Sequence, residues 1–256
     1  MIDPRAIIDP GAQLADGVVV EPFAMIGPGV EIGANTWIGA HAVIRGPAKI
    51  GRDNRIYQFA SIGEAPQDKK YAGEDTVLEV GDRNVIREYC TLNRGTVQGG
   101  GVTRVGSDNW IMTGVHVAHD CIVGNQAVFA NNVALAGHVQ IGDYVILGGY
   151  TLIHQFCRIG DYSFTAMGSA IPRDVPPYLL VSGHMARPYG LNTEGLKRRN
   201  FSSDVIRNIR RAYKLLYKSG LQLQQACDEI RPLAAQCREV AEFLSFIESS
   251  GRGIVR

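Results

Sequence analysis

Three features are scarce in this chain of 256 residues: long apolar runs, an excess of charge of one sign, and paired cysteines. No run of about 18 apolar residues occurs, which argues against a membrane-spanning helix. The formal net charge is only +1, so bulk charge gives no reason to expect a nucleic-acid binder. The first residues lack the basic and then apolar layout of a secretion signal, and we expect a cytoplasmic protein.

The cysteines are odd in number, and none forms a CxxC pair. This usage indicates neither a disulfide framework nor a zinc knuckle, and it favours free, buried thiols. The five are Cys90, Cys121, Cys157, Cys227 and Cys237.

A six-residue repeat dominates most of the chain. Every sixth residue across 8–62, 80–92 and 105–171 is Ile, Leu or Val, with Phe129 and Thr165 as the exceptions. A period of six fits neither an α-helix nor a simple amphipathic strand. It fits a short parallel strand and a turn, repeated, in which each coil buries its aliphatic residues by stacking on the next.

The repeat predicts a mainly β fold, a left-handed parallel β-helix of hexapeptide repeats over 1–190. Three repeats make one triangular coil, and we expect the aliphatic residue to point inward at each corner. The Gly, Asp or Asn beside it would serve a turn with positive φ. The register breaks at 64–79 and 98–104, which we interpret as loops that mark the working face.

The pattern becomes helical near the C-terminus, and we predict a small α-helical domain over 191–256. Ser202 or Ser203 can cap a helix, apolar residues follow at helical spacing, and Gly220 ends that helix. Pro232 and Gly251 are expected to bound the remaining helical segments.

Residues 18 positions apart stand one above another in such a coil, as His119, Gly137 and Gln155 do. Asn93 and the 64–79 loop belong to the same side once that loop is excised. A β-helix has no local reason to collect histidines on one side, so the strip indicates a site. Its histidines are His116, His119, His138 and His154.

Two kinds of chemistry compete for this strip. Neutral imidazoles bind zinc, but a metal site needs about three convergent ligands. Alternatively, one histidine is a general base and the others bind substrate. The neighbouring polar residues suit a phosphate-bearing substrate, so we favour a general base and predict no metal ligand. A coenzyme A-dependent acetyltransferase, a metal-dependent enzyme and a purely structural β-helix stay open as alternatives. The polar neighbours are Asp68, Lys70, Asn93, Arg94 and Gln155.

Specific motifs spread over nearly the whole chain carry a family resemblance. They include Lys70-Tyr71-Ala72-Gly73-Glu74, Val117-Ala118-His119-Asp120-Cys121, Leu135-Ala136-Gly137-His138, Ile153-His154-Gln155-Phe156-Cys157 and Glu194-Gly195-Leu196-Lys197-Arg198-Arg199. With them, the sequence closely resembles the UDP-N-acetylglucosamine O-acyltransferases, which begin lipid A assembly in Gram-negative bacteria.

The resemblance implies transfer of a 3-hydroxyacyl chain from acyl carrier protein to the glucosamine 3-hydroxyl of UDP-N-acetylglucosamine. His119 would be the general base, Asp120 its support, and the Gly137 N–H an oxyanion donor. No cofactor is implied beyond the phosphopantetheine of the carrier protein, and the family is a homotrimer with its sites between subunits. The positions that match substrate contacts are Gln67, Asp68, Lys70, Asn93, His116, His138, His154, Gln155, Asn192, Glu194 and Arg198.

Two positions depart from the common family pattern. Asn93 stands where many members have His, which leaves open an acceptor sugar with a 3-amino group. Met167 stands where long-chain members have Gly, and its side chain would fill about three to four methylenes of the acyl groove. With Gly149, Met167 therefore predicts an acyl chain of about ten carbons rather than about fourteen.

Overall fold

The six-residue repeat folds as short strands separated by tight turns. In the strand Met25–Ile26 the first side chain faces outward and the second is buried, and most other strands of the repeat follow this order. The computed structural model describes residues 1–256, and they form a left-handed parallel β-helix followed by four helices. The predicted fold class is confirmed.

Three sheets form the sides of the prism, and strands pair in parallel with those one coil away. Sheet 1 contains Ile7–Ile8, Met25–Ile26, Val43–Ile44, Ser61–Glu64, Thr91–Asn93, His116–Val117, Ala134–Leu135, Leu152–Ile153 and Ala170–Ile171. Sheet 2 contains Gln13–Leu14, Val30–Ile32, Ala48–Ile50, Val77–Val80, Val102–Val105, Ile122–Val123, Gln140–Ile141 and Arg158–Ile159. Sheet 3 contains Val19–Val20, Trp37–Ile38, Arg55–Ile56, Val85–Ile86, Trp110–Ile111, Val128–Phe129, Ile146–Leu147, Phe164–Thr165, Leu179–Ser182 and Arg187–Leu191.

The turns between these sheets form three corners that run the length of the prism. The first corner joins sheet 1 to sheet 2, the second joins sheet 2 to sheet 3, and the third joins sheet 3 back to sheet 1. The expected stacking is observed, since Ile62 pairs with Leu92 across the first break in the register. Val117 likewise pairs with Leu135, and Leu135 with Ile153.

The turns differ from the expectation in two ways. The repeating aliphatic residues lie in the strands on the sides of the prism, and not at its corners. Positive φ falls two residues later than predicted, at non-glycine residues such as Asn35 (φ 59) and Asp53 (φ 57). The glycine after the aliphatic residue serves close approach instead: a Cβ on Gly33 would lie 2.6 Å from the carbonyl carbon of Gly51 in the next coil.

Both breaks in the register are loops at the first corner, with bounds that differ from the predicted ones. The first loop covers 65–76, because strand pairing continues through Glu64 and resumes at Val77. The second loop covers 94–101 and contains the 3-10 helix Val97–Gly99. Residues 102–104, predicted as loop, pair in sheet 2, because the outward residues of a strand break the aliphatic pattern without breaking the ladder.

The C-terminal region closes the top of the prism. The antiparallel strand Arg187–Leu191 ends the β-helix, and α1 (Thr193–Arg198), α2 (Ser203–Tyr217), α3 (Leu223–Ala234) and α4 (Arg238–Glu248) follow. Ser202 caps α2, as predicted, but Pro232 lies inside α3 and does not bound it. No helix combines the length and the apolar character that a membrane crossing needs.

The five cysteines behave as the sequence predicts, because all are buried and none is paired. Burial raises the pKa of the Cys90 thiol to about 11 and that of Cys121 to about 12. These thiols are therefore part of the packed interior and not nucleophiles.

Candidate active site

The first corner brings a histidine and an aspartate into direct contact. Nδ1 of His119 lies 2.7 Å from Oδ2 of Asp120, the residue with positive φ (61°) in the same turn. An ionised carboxylate only accepts hydrogen bonds, so Nδ1 carries the proton and Nε2 of the neutral ring is left as a free base. The Asp120 side chain is 1% exposed and that of His119 is 15% exposed. Only the imidazole can therefore meet a substrate.

The second loop covers the Asp120 carboxylate. Oδ1 accepts a hydrogen bond from the Thr96 backbone N–H and Oδ2 accepts one from the Thr96 hydroxyl, each at 2.7 Å. The Asp120 N–H donates to Oγ1 of Thr103 at 2.8 Å. A buried charge needs such donors to remain stable. Sequence reasoning missed both threonines, because neither belongs to the column of residues 18 apart.

Gly137 lies directly beside His119, one coil further along the prism. A Cβ atom on Gly137 would lie 2.8 Å from Nε2 of the His119 ring. The Gly137 carbonyl accepts a hydrogen bond from Phe156, whereas its N–H donates to no group of the chain. The column predicted from the six-residue register thus places an unpaired backbone donor next to the free nitrogen of His119.

His138 completes the group at this corner. Nε2 of His138 lies 3.6 Å from Oδ2 of Asp120, and its ring stacks on Phe156 with centroids 4.4 Å apart. Burial lowers the pKa of His138, although the nearby charges of Asp120 and Asp68 act in the opposite direction. The ring is therefore neutral near pH 7 and can donate or accept a hydrogen bond.

His116 and His154 lie on either side of this group, on sheet 1 and just beyond it. Nδ1 of His116 lies 2.7 Å from the Thr91 hydroxyl, and burial lowers its pKa. His154 is exposed beside the exposed Gln155, and its Nδ1 lies 3.2 Å from Nη2 of Arg252. Arg252 lies on the C-terminal tail, and no motif or period in the sequence indicates that it contacts His154.

Asn93, the last residue of its strand in sheet 1, and Arg94, the next residue, both contact the first loop. Nδ2 of Asn93 donates to the Ala65 carbonyl at 3.0 Å, whereas its buried Oδ1 has no partner. The Arg94 guanidinium donates to the carbonyls of Gly46 and Gly63, at 2.7 and 2.8 Å, and to the Tyr71 hydroxyl at 3.1 Å. The amide nitrogen of Asn93 thus bonds the first loop, and its Oδ1 remains free to accept a hydrogen bond.

The first loop itself carries Gln67, Asp68 and Lys70. Gln67 and Lys70 are exposed, and Oδ1 of Asp68 accepts the Lys70 backbone N–H at 3.0 Å. The loop leaves the prism at the first corner, the corner that also carries His119 and His138. The side chains of Gln67, Lys69 and Lys70 are exposed, so a ligand can meet them from solvent.

The remaining predicted residues lie elsewhere on the prism. Asn192 caps α1 and donates to the carbonyl of Tyr162 at the second corner, at 2.9 Å. Glu194 and Arg198 follow on α1, where Glu194 pairs with Lys197 at 2.9 Å. Met167 and Gly149 lie in turns of the third corner, where the Met167 side chain is 79% exposed. One chain therefore does not bring these residues to His119.

The first corner also contains the donor set for a metal ion. One ligand atom each from His119, Asp120 and His138 lie within 4.8 Å of one another. Oδ2 of Asp120, however, already accepts hydrogen bonds from the Thr96 hydroxyl and from His119. Metal binding would break these bonds, and the arrangement as built suits proton transfer better.

The comparisons with known proteins cover the full chain. Residues 174–255 match a family described as UDP-N-acetylglucosamine O-acyltransferase, domain 2, and residues 29–64 and 103–137 match bacterial transferase hexapeptide repeats. A curated relative from Halorhodospira halophila, an acyl-[acyl-carrier-protein]–UDP-N-acetylglucosamine O-acyltransferase, is 54% identical over 100% of this chain and 99% of its own. The chain belongs to the UDP-N-acetylglucosamine O-acyltransferase family. It is accordingly an acyltransferase, as the motifs predict.

Solved structures of the family agree with this assignment. The UDP-N-acetylglucosamine acyltransferase of Francisella novicida superimposes with a TM-score of 0.98 at 42% identity, covering 100% of this chain and 94% of that one. The O-acyltransferase of Moraxella catarrhalis gives a TM-score of 0.97 at 49% identity, covering 100% and 99%. The first corner of this chain is therefore the candidate active site of an acyltransferase.

Proposed function

We propose that this acyltransferase moves a 3-hydroxyacyl chain from acyl carrier protein to the glucosamine 3-hydroxyl of UDP-N-acetylglucosamine, in lipid A biosynthesis. The names of the full-length relatives support the two substrates. The observation that carries the mechanism is the 2.7 Å contact between Nδ1 of His119 and Asp120. It leaves Nε2 as a base beside the unpaired N–H of Gly137.

The proposed reaction uses one proton transfer in each direction. Nε2 of His119 takes the proton of the sugar 3-hydroxyl as that oxygen attacks the thioester carbonyl carbon. The Gly137 N–H stabilises the oxyanion, a contact worth about 3 kcal/mol in comparable sites. The carbon–sulfur bond then breaks, and the imidazolium of His119 returns the proton to the departing phosphopantetheine thiol. Asp120 stabilises the imidazolium in between.

The proposed reaction needs no resident cofactor or metal. A thioester is already activated toward attack, and an imidazole can supply the base near neutral pH. A chelator should consequently leave turnover unchanged. Loss of activity on chelation, restored by a divalent metal, would favour the metal-dependent alternative at His119, Asp120 and His138.

We further propose that the enzyme is a homotrimer with each active site between two subunits. This proposal is supported by the placement of the predicted residues at three different corners of one prism. His119 lies at the first corner and Met167 at the third. Arg198 lies on α1, whose cap residue Asn192 bonds the Tyr162 carbonyl at the second corner. A second subunit packed against the first corner can supply the groups that His119 lacks.

Complementation tests the shared site. His119→Ala and Arg198→Ala variants should each have low activity alone. Mixed trimers, formed by coexpression, should regain part of the activity, because some sites then contain an intact His119 and an intact Arg198 from different subunits. Mixed trimers no more active than the variants, with a mass of three chains confirmed, would place both residues in one subunit's site.

Product analysis tests the reaction. UDP-N-acetylglucosamine and a mixture of 3-hydroxyacyl carrier proteins should give an O-acylated sugar nucleotide by mass spectrometry. His119→Ala should lower kcat by roughly 10²- to 10⁴-fold and leave the melting temperature nearly unchanged. Preference for a 3-amino sugar nucleotide, or for acetyl-coenzyme A, would identify one of the alternative activities. A His119→Ala variant that retains most of its activity would contradict the assigned base.

A further inference from the structure

The second loop contacts Asp120 through Thr96. Thr96 is only 1% exposed and donates to both carboxylate oxygens, from its backbone N–H to Oδ1 and from its hydroxyl to Oδ2. The hydroxyl also accepts a hydrogen bond from the Gly99 N–H at 3.2 Å, which closes the 3-10 turn above the carboxylate. Thr96 therefore fixes the carboxylate at two points and is itself fixed by its own loop.

The glycine run after Thr96 has a physical reason at the same place. A Cβ atom on Gly99 would lie 2.0 Å from Cγ of Asp120, so any side chain there would displace the carboxylate. Gly100 and Gly101 meet no such obstacle, and they instead have positive φ values of 95° and 81°. The loop backbone thus approaches the carboxylate as closely as a residue without a side chain allows.

The direction of the Asp120 side chain depends on these contacts. Without the Thr96 hydroxyl, Oδ2 would keep only His119 as a hydrogen-bond partner, while Oδ1 would still accept the backbone N–H of residue 96. A buried carboxylate in that state rotates toward other donors or admits water, at a cost comparable to a lost charged hydrogen bond. Either change would move Oδ2 away from Nδ1 of His119 and release the imidazole from its orientation.

We infer that Thr96 is a positioning residue that fixes the Asp120 carboxylate and, through it, the tautomer and direction of the His119 base. The inference rests on the proposed function, in which His119 is the base. Thr96 touches neither substrate in this account and acts only through Asp120.

The test compares Thr96→Val, Thr96→Ser and Asp120→Asn, with the double variant that combines Thr96→Val and Asp120→Asn. Thr96→Val should lower kcat by roughly 10- to 100-fold, part of what a general base contributes, and leave both KM values nearly unchanged. Thr96→Ser, which keeps the hydroxyl, should restore most of the activity. In the Asp120→Asn background, Thr96→Val should cost little more, because both changes remove the same support.

Thr151→Val is the matched control. Thr151 is also fully buried, and its hydroxyl bonds the Gly148 carbonyl at 2.7 Å and the Thr165 hydroxyl at 2.8 Å, at the third corner. Its loss should lower the melting temperature without lowering kcat. A similar loss of kcat in Thr151→Val would mean that kcat reports only general loosening of the prism.

A spectroscopic measurement keeps the test independent of activity. The Nδ1 proton of His119, bonded to a carboxylate, should give a downfield proton resonance in the intact enzyme that His119→Ala removes. The resonance should persist in Thr96→Ser and shift or broaden in Thr96→Val or, if that variant does not fold, in Gly99→Ala. An unchanged resonance together with unchanged kcat in folded Thr96→Val, or losses that multiply in the double variant, would overturn the inference. Failure of the unaltered enzyme to use either substrate would instead refute the proposed function.

Discussion

The imidazole of His119 stands against the α-carbon of Gly137 in the next coil, so closely that a Cβ on Gly137 would lie 2.6 Å from Cε1 of the ring. Contacts this short do not occur between real side chains, and one of the two groups would have to move. The imidazole would move, because the Gly137 carbonyl is held in place by a hydrogen bond from the Phe156 N–H. The absence of a side chain at Gly137 is thus a condition for the position of the imidazole that we propose as the base.

Gly137→Ala tests this relationship. We expect kcat to fall by roughly 10²- to 10³-fold, because the added methyl group displaces the His119 ring and crowds the proposed oxyanion donor. The melting temperature should change little, since the added carbon meets a side chain and not the core. Gly190→Ala is the control, because a Cβ at that position meets nothing within 4 Å. If Gly137→Ala retains full kcat, the ring and the oxyanion do not use this space.

The column that contains this pair could be read from the sequence, because stacking in a β-helix depends only on the six-residue register. Ile62 and Leu92 could be matched across a loop for the same reason, once the loop was excised. Residues that contact each other through that regular geometry are accessible to reasoning from spacing. His119 with Gly137, and His138 stacked on Phe156, belong to this class.

Contacts made by irregular backbone could not be predicted in this way. Thr96 reaches Asp120 from a loop and Arg252 reaches His154 from the C-terminal tail, across 24 and 98 residues of sequence. No period relates these positions, and side-chain type alone does not distinguish Thr96 from other threonines. The expected turn chemistry at glycine was wrong for a related reason: Gly33 is required by contact with the next coil, which a local turn rule does not consider.

Asn93 provides a second prediction, which concerns the first loop. Its amide donates to the Ala65 carbonyl and, at 3.4 Å, to that of Glu64, and so fastens the start of the loop to sheet 1. Asn93→Leu should loosen the loop, raise the KM for the sugar nucleotide several-fold and change kcat less. Trypsin should also cut the variant faster at Lys69 or Lys70. Asn131→Ala, at an exposed position, is the control and should change neither the KM nor the rate of cleavage. A normal KM in Asn93→Leu would show that this hydrogen bond does not hold the loop in its binding conformation.

The histidines make a third prediction, on stability against pH. Burial lowers the pKa of His116, and the charge of His119 lowers it further. A histidine whose folded pKa lies below its unfolded value of about 6.5 binds fewer protons when folded. The free energy of unfolding is therefore unaffected above that unfolded pKa and falls as the pH drops through it toward the folded pKa. His138 acts in the same direction.

Melting temperatures measured between about pH 7.5 and pH 5 test this dependence. The intact protein should lose stability across the lower half of that range, and His116→Gln should lose less, since glutamine does not titrate. An identical slope in His116→Gln would mean that acid acts on other groups.

The last prediction concerns chain length and depends on the shared site. Met167 is exposed at the third corner of its own chain, so it can limit an acyl chain bound at His119 only if another subunit presents it. Matched C10 and C14 acyl carrier proteins should show a preference for C10, because the Met167 side chain fills the depth of about three to four methylenes. Met167→Gly should raise kcat/KM for the C14 carrier protein by at least about tenfold and leave kcat/KM for the C10 carrier protein nearly unchanged. Met25→Ala, on the N-terminal coils, is the control and should change neither value. A native enzyme that prefers C14, or a Met167→Gly variant that still rejects it, would show that the groove ends elsewhere.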